Sequence, residues 1–576
     1  MSVPLLLAGA RSRITSLLPD RDDLGQMRRN PRRDLLAGLT VAVVALPLAL
    51  GFGVSSGLGA EAGLATAVIA GALAAVFGGS NLQVSGPTGA MTVVLVPIVA
   101  DHGPSGVLTV GLMAGAILVA LALLRAGGSM RYVPAPVVEG FTLGIACVIG
   151  LQQIPNALGV PAPEGERVLV VAWRAFERFA RTPDWTAVAL ALSVAAVMLL
   201  GARWRPTVPF SVLAVIAATL VVQIGGLDGV RPIGELPSGL PAPSLAFVDT
   251  GALSELVAPA VAVAALAALE SLLSASVADG MTVGQRHDAD RELFGQGVAN
   301  LAAPLFGGVP ATGAIARTAV NVRTGATSRL ASLAHAAVLA AIVFAAAPLV
   351  SKIPLAALAG VLLATAVRMV EVGSLRAMAR ATRSDALILV LTAVATLALD
   401  LVLAVIIGLA VAALLALRAV ARQARLAPLA LERGDHTEEE HKLLAEHIVA
   451  YRIDGPLFFA AAHRFLLELT ELADVRVVIL RLSHVSVVDA TGALVLKDAV
   501  TKLRRRGIAV MVSGIRPGHR QVLDSVGALD LLRHDGREYA TTPEAIGAAR
   551  EHLRITGVLP AARAPRPASP PVREAP

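Results

Sequence analysis

From Leu35 to Arg418, two thirds of the chain, one apolar run follows another with only short polar connections between them. A helix crossing a bilayer needs about 20 apolar residues. A stretch of this length therefore has room for about 12 to 14 crossings. Runs begin near Leu35, Ala62, Ser85, Val107, Val133, Trp185, Val208, Ala252, Glu292, Gly313, Leu330, Ile353, Asp385 and Leu401, fourteen in all. Those at Ser85 and Gly313 are short and glycine-interrupted, and the last two form a tight hairpin around Asp400. Charged residues make up 16% of the chain, against about 25% in a soluble domain. Disordered, collagen-like and nucleic-acid-binding chains are excluded as descriptions of the whole. The single cysteine, Cys147, rules out an internal disulfide, and its apolar surroundings read as buried packing.

Charge sets the orientation. The net charge of +7 resides in connections and ends. Arg11, Arg13, Arg21, Arg28, Arg29, Arg32 and Arg33 precede the first run, so residues 1–34 form a basic segment expected in the cytoplasm. They follow Leu5-Leu6-Leu7, the reverse of a secretory signal. Connections after even-numbered spans are basic: Arg125 and Arg131, Arg203 and Arg205, Arg286 and Arg291, Arg323 and Arg329, Arg368 to Arg383, then Arg418 and Arg422. The connection 226–250 carries Asp228, Glu235 and Asp249 against Arg231 and belongs outside, whereas the outside loop 155–183 is mixed in charge. An even number of spans places both termini in the cytoplasm, in a multi-pass protein of the cytoplasmic membrane.

Beyond the transmembrane region, taken as 35–425, residues 426–446 read as a charged linker and 447–556 as a small α/β domain. Expected strands are 447–453, 475–482 and 507–512, mostly apolar as in a covered sheet. Helical patterns fill 457–472, 490–505 and 517–527. The tail 557–576, Ala/Pro/Arg-rich from Pro560, reads as disordered.

A repeated phrase points to a site. Gly78-Gly79 leads to Gly86-Pro87-Thr88-Gly89-Ala90, and Gly307-Gly308 leads to Pro310-Ala311-Thr312-Gly313-Ala314. Thr88 lies 41 residues after Pro47, and Thr312 lies 42 after Glu270. Short, Gly/Pro-interrupted segments at matching places in two halves are the signature of an inverted-repeat transporter. Seven spans per half invert the second half. Two half-helices meeting N-terminus to N-terminus present unpaired N–H groups and positive dipole ends to an anion. Helix packing by small residues is the competing explanation, but it does not account for the matched spacing.

Ionisable residues inside spans are costly and point to function. Arg317, one turn into the second half-helix, adds positive field. Glu270 lies beside the same site by the repeat logic. A carboxylate there opposes an anion unless it holds H⁺ or Na⁺, so Glu270 is a coupling-ion candidate, with Ser274 one turn later. A buried Glu270–Arg317 ion pair is the competing reading. Glu139 reads as interfacial, and Asp279, Asp288, Asp290 and Glu292 as a solvated polar turn. No Cys/His cluster marks a metal site. No cofactor motif, Walker-type loop or nucleophile–base pair is found, so no enzyme activity is expected. In the soluble domain Asp489-Ala490-Thr491-Gly492 follows a strand. Asp489 is expected to cap a helix, and Thr491 offers a hydroxyl in its first turn.

These residues resemble the SulP anion-transporter family. The resemblance covers about 30–556 and rests on Leu46-Pro47-Leu48-Ala49, Gln83 to Gly89, Asp290-Arg291-Glu292-Leu293 with Gly295-Gln296-Gly297, and Arg317-Thr318. Asp-Ala-Thr-Gly at 489–492 is similar to the STAS motif of that family. The resemblance implies fourteen spans in a 7+7 inverted repeat, core and gate domains with elevator-like motion, and a homodimer with cytoplasmic STAS domains. It places the anion between the Thr88-Gly89 and Gly313-Ala314 helix starts, near Phe52 and Arg317. Glu270 and Ser274 resemble the Na⁺ positions of the cyanobacterial bicarbonate branch, where the acid is aspartate and Ile315 is a hydroxyl residue. Those departures favour H⁺. Leu48, where many sulfate-type members have Gln, resembles bicarbonate-type members.

The leading expectation is thus secondary-active transport of a small inorganic oxyanion, sulfate or bicarbonate, coupled to H⁺ or Na⁺. A C4-dicarboxylate or nucleobase transporter of the same fold remains an alternative. So does a membrane-anchored signalling scaffold whose STAS domain binds a regulatory protein. Arg317 and the intact repeat favour the anion.

Overall fold

The computed structural model describes residues 15–128, 133–163, 167–205, 208–227, 229–237, 239–399, 401–423, 425–429, 444–459 and 475–559. Arg11, Arg13, Arg131, Asp228, Asp400, most of the expected linker, most of the expected 457–472 helix and the tail from Pro560 lie outside these residues. The chain divides into two units, 1–412 and 413–576.

The first unit begins with a short helix, α1 (Arg21–Arg29), before the first span. The spans of the first half are α2 (Pro31–Ser55), α3 (Ala60–Phe77), α4 (Gly89–Leu123), α5 (Ala135–Ala157), α7 (Trp185–Trp204) and α8 (Phe210–Ile224). Gly103, at φ +66°, breaks α4 into two crossings, and Pro104 restarts it, as proline does in a first turn. A surface helix, α6 (Val168–Arg181), joins α5 to α7. The second half repeats the plan with α9 (Leu253–Met281), α10 (Ala289–Ala302), α11 (Ile315–Arg323), α12 (Leu330–Val350), α13 (Leu355–Met369), α15 (Arg383–Ala398) and α16 (Leu401–Gln423). Here the surface helix is α14 (Val372–Ala381). Counting α13 and α14 as one stretch, Leu355–Ala381, nine helices among the described residues are long and apolar enough to cross a membrane unaided; the shorter crossings are those at and around the repeated phrase and in the later spans of each half.

Hydrogen bonds between connections sort them onto two faces. Gly127 N–H donates to Asp290 (2.9 Å), Ser374 Oγ to Glu139 (2.8 Å) and Thr327 N–H to Asp34 (2.6 Å). All these residues lie at connections that follow an even number of crossings, or before the first. Ile233 N–H donates to Ile353 O and Leu355 N–H to Arg231 O, each at 2.9 Å, and Ser244 N–H donates to Leu305 O. Those connections follow odd numbers of crossings. The fourteen-crossing count is therefore consistent with the cross-links.

Helix α1 is clasped to the even face. Asp23 pairs with Arg291 at 2.5 Å and with Arg329 at 3.0 Å. Arg329 also donates to the carbonyls of Ala75 and Gly78, where α3 ends. Burial raises the Asp23 carboxyl, but the Arg291 hydrogen bond, the Asp20 N–H and the two guanidinium charges outweigh it and hold it below the ordinary value.

Two sequence expectations change here. Cys147 is exposed on the surface of α5, because an apolar neighbourhood in a lipid-facing span is not a buried one. Residues 425–429, placed at the start of a charged linker, form a strand, β3 (Arg425–Leu429), as the later cross-strand register requires.

The second unit is a mixed sheet with helices on its faces. β4 (Ile448–Leu457), β5 (Val477–Arg481), β7 (Ala509–Ser513) and β8 (Glu538–Tyr539) run parallel in that order, β3 lies antiparallel on β4, and β6 (Val485–Val488) extends β4. Alternation splits the core. Val478, Leu480, Val510 and Val512 pack towards α17 (Ala490–Arg505) and α18 (Pro517–Ser525). Val477, Ile479, Ala509 and Met511 pack towards α20 (Thr542–Ile555), which follows α19 (Asp530–His534).

The clasp gives a pH-dependent prediction. Asp23→Asn should lower stability on the order of 1–3 kcal/mol at neutral pH, since it removes a charged hydrogen-bond acceptor. A depressed native value means the carboxylate's contribution is present above its unfolded value, near about pH 4, and is lost as pH falls through the native value. The difference in melting temperature between parent and variant should therefore shrink below about pH 4.

Candidate functional site

The two repeated phrases meet. β1 (Ser85–Gly86) and β2 (Thr312–Gly313) pair antiparallel, with Ser85 opposite Gly313 and Gly86 opposite Thr312. Because the strands run in opposite directions, α4 and α11 leave the pair in opposite directions with their N-termini facing. Each helix start leaves N–H groups without intrahelical partners, and the two positive dipole ends converge.

The helix starts differ in detail. Thr88 caps α4 and its Oγ accepts from Met91 N–H at 3.4 Å. Gly89 packs against Phe52 and Ile149; a Cβ there would lie 3.1 Å from Phe52 Cε1 and 2.2 Å from Ile149 Cδ1. In the second repeat the helix starts at Ile315, two residues after the expected Gly313. Gly313 N–H donates to Ser271 Oγ of α9 (2.9 Å) and Ala314 N–H to Val84 O of the other phrase (2.9 Å), so both amides that the sequence had offered to an anion are taken. The accessible start is formed by Ile315 and Ala316, both exposed.

Arg317 follows them and is 2% exposed. It reaches across the strand pair and donates through Nη2 to Pro87 O of the other repeat. Its Nη1 is buried without a hydrogen-bond partner among the described residues. A Cβ on Gly86 would come within 2.6 Å of that nitrogen, so only glycine admits the guanidinium at this point. Glu270 does not pair with it: among the described residues the two form no ion pair, contrary to the competing sequence reading. Instead Glu270 Oε2 accepts from Thr88 Oγ1 (2.8 Å) and Thr312 Oγ1 (3.1 Å), one threonine from each repeat. Glu270 Oε1 receives no hydrogen bond among the described residues, and the side chain is partly exposed. Ser274 shares a hydrogen bond of 2.9 Å with Thr318 Oγ1, which accepts from Val84 N–H (3.0 Å); it braces the strand pair and makes no hydrogen bond to Glu270 among the described residues.

A second carboxylate organises the first phrase. Glu292, 1% exposed, accepts from Gly79 N–H (2.9 Å), Ser80 N–H (3.2 Å), Gln83 Nε2 (2.8 Å) and Gln296 Nε2 (2.9 Å). The sequence reading as a solvated turn is therefore wrong for Glu292. Asp290 bonds Gly127, Asp288 caps α10, and Asp279 pairs with His287 at 2.7 Å. Glu139 accepts from Ser374 at the even face. Asn300 completes the row, donating to Ala311 O (2.9 Å) and accepting from Ala311 N–H (2.8 Å). Glu292, Gln296 and Asn300 are four residues apart and share one face of α10. That spacing of four was the available signal.

In the second unit Asp489 caps α17: Oδ1 accepts from Gly492 N–H (2.7 Å) and Oδ2 from Phe459 N–H (3.1 Å). Thr491 is exposed on the first turn. A Cβ on Gly492 would lie 2.1 Å from Leu457 O, so the motif's glycine lets the helix start lie against β4. Among the described residues no group of His, Cys, Asp and Glu forms a metal site.

The Glu292 network is structural, and its loss should be read in stability. Glu292→Gln replaces acceptors facing four donors with an amide and should lower stability on the order of 1–3 kcal/mol. Glu270→Gln keeps an acceptor for both threonines and should leave the melting temperature in detergent nearly unchanged.

Comparison with known proteins places this geometry. The sulfate permease family matches residues 32–392, and the STAS domain matches residues 443–545. A putative sulfate transporter of Bacillus subtilis, YvdB, is 35% identical over 86% of this chain and 94% of its own length. The bicarbonate transporter BicA of Synechocystis is 33% identical, over 84% and 88% respectively. A solved structure of the murine Slc26a9 anion transporter, at 17% identity, shares the fold with a TM-score of 0.81 over 94% of this chain and 95% of that one.

Proposed function

The chain belongs to the sulfate permease family, a family of transporters, and we propose that it carries a small inorganic oxyanion, sulfate or bicarbonate, across the cytoplasmic membrane. The observation that supports this most directly is the unpartnered Arg317 Nη1 buried between two converging helix N-termini. A desolvated guanidinium that forms no ion pair among the described residues, beside two positive dipole ends, is stabilised by an anion. In this reading the anion lies over the N–H groups at the start of α4 (Gly89, Ala90) and of α11 (Ile315, Ala316), with Phe52 on one side. Gly313 and Ala314 hold the strand pair in place, and Thr88 orients the carboxylate.

Glu270 is the coupling group. Its Oε2 is held by one hydroxyl from each repeat, and Oε1 remains open to H⁺ or Na⁺. The three oxygens of Glu270, Thr88 and Thr312 would suit a small cation, but a carboxylate that receives two hydroxyl hydrogen bonds needs no metal to be satisfied. H⁺ is therefore favoured. Neutralising Glu270 removes the negative charge nearest the anion site, so proton and anion load together. Ser274 supports this geometry through Thr318.

Both termini lie in the cytoplasm in this reading, and the domain plan is 1–34, 35–425, 426–446, 447–556 and 557–576. A homodimer, and a regulatory protein docking near Asp489 and exposed Thr491, complete it.

Uptake by purified protein in liposomes tests the proposal. Labelled sulfate and bicarbonate are supplied separately under an imposed pH or Na⁺ gradient. Gradient-driven accumulation of one anion is expected. Arg317→Ala should reduce uptake about 10- to 100-fold, the equivalent of a charge-assisted hydrogen bond, without loss of folded protein. Glu270→Gln should remove the dependence on the gradient. Uptake of a dicarboxylate or of uracil, with neither oxyanion transported, would overturn the substrate.

A further inference from the structure

Helix α14 joins α13 to α15, and only a few residues separate it from the span on either side. Ten helical residues extend about 15 Å, half of a bilayer core of about 30 Å. The helix can neither cross the membrane nor leave its surface. Twelve crossings precede it, so it lies on the even face, with α1.

Its two sides differ. Leu375 and Met378 are half-buried, and Ser374 bonds Glu139 at the start of α5. That side rests on α15 and α5. Arg376 and Arg380, four residues apart, share the other side and are exposed, and exposed Arg383 opens α15 just beyond the extended Thr382. None of these arginines, nor exposed Arg368 near the end of α13, has an ion pair or hydrogen bond among the described residues. The acids nearby do not neutralise them. Glu139 is on the far side, Asp385 accepts from Thr382 at 2.9 Å, and Glu371 precedes the helix. Exposed Val372 lies on the arginine side.

The equivalent helix of the first half shows that this position is a membrane-surface position. α6 also joins the fifth and sixth spans of its half, and the inverted repeat puts it on the opposite face. It buries Ala172, Ala175 and Phe179 against the protein. Leu169, Trp173 and Phe176 are exposed beside them, and Trp185 next to Phe179 is exposed as well. Glu177, Arg178 and Arg181 occupy the other side. An apolar, aromatic flank beneath a polar one is the pattern of a helix lying in the headgroup region. The two helices thus occupy the same structural place with different chemistry, aromatic on one face of the membrane and cationic on the other.

We propose that α14 and its junction with α15 are a binding element for anionic phospholipid headgroups, which Arg376, Arg380 and Arg383 take from the leaflet on the even side. Arginine forks fit phosphate in pairs of hydrogen bonds, and each basic residue near an anionic surface adds attraction. A headgroup contact at this point fixes the depth of α5, α13 and α15 while other elements move.

The test uses the full chain in lipid nanodiscs. Cys147→Ser removes the native thiol, and Ala379→Cys carries a bimane probe on the arginine side. Brominated phosphatidylglycerol and brominated phosphatidylcholine are compared as quenchers at equal mole fraction. Quenching by the anionic lipid should exceed that by the zwitterionic one about twofold or more, and the excess should fall at high salt. R376Q, R380Q and R383Q together should abolish it, whereas R28Q and R29Q on α1 should not. Inorganic phosphate added to zwitterionic discs should leave the probe unchanged; a response equal to that of the lipid would replace the headgroup with free phosphate as ligand. Equal quenching by the two lipids in protein with native arginines would overturn the proposal, as would an excess that survives the triple substitution.

Discussion

Backbone that leaves a helix at bilayer depth has no water to bond, and this chain leaves one twice, at 78–88 and at 307–314. The rest of the first unit is arranged around satisfying those amides and carbonyls. The strands β1 and β2 answer each other in part. What remains is met by side chains on neighbouring spans: Glu292 for Gly79 and Ser80, Asn300 for Ala311, Thr318 for Val84, Asn321 for Leu82, Ser332 for Gln83 and Thr66 for Val309. Each is a polar group that lipid would penalise if it were unpaired. The polar residues of α10, α11 and α12 are therefore first a scaffold for irregular backbone, and only through it a scaffold for a ligand.

This scaffold makes the meeting of the two N-termini rigid. Side chains from α10 hold the first phrase, and Thr66 of α3 holds Val309 of the second, so each repeat is pinned by an element of the other half. Arg317 donating to Pro87 is the same exchange in the opposite direction. Such cross-bracing explains why the half-helices need not be long. Their positions come from hydrogen bonds with fixed geometry, where ordinary spans rely on lipid and packing.

Hydropathy made the fourteen crossings legible, and the run beginning at Trp185 or Leu330 coincides with the helix start. The paired Thr-Gly-Ala phrases made the site legible. What escaped was everything that depends on a partner distant in sequence. The second helix starts at Ile315 because Gly313 and Ala314 are drawn into pairing with Ser271 and Val84. Glu292 reads as part of a charged turn because Asp288 and Asp290 precede it, and only the fold shows that its side of α10 turns inward. Cys147 illustrates the reverse error, since hydropathy does not separate protein interior from lipid. The surface helices α6 and α14 are too short and too mixed in composition to register as spans, although a period of 3.6 was present in both.

Two carboxylates lie within the same membrane-embedded region, and their surroundings give them different work. Glu292 has four donors on its two oxygens, among them two main-chain N–H groups that cannot be donors to anything else without breaking the loop. A proton on either oxygen would displace one of these hydrogen bonds. Glu270 has both its hydrogen bonds on one oxygen, from hydroxyls that can rotate and serve as acceptors instead. Adding a proton to Oε1 breaks nothing. Of the two, Glu270 is the one whose hydrogen bonds leave an oxygen open among the described residues, and it bridges the two repeats where the helix N-termini converge.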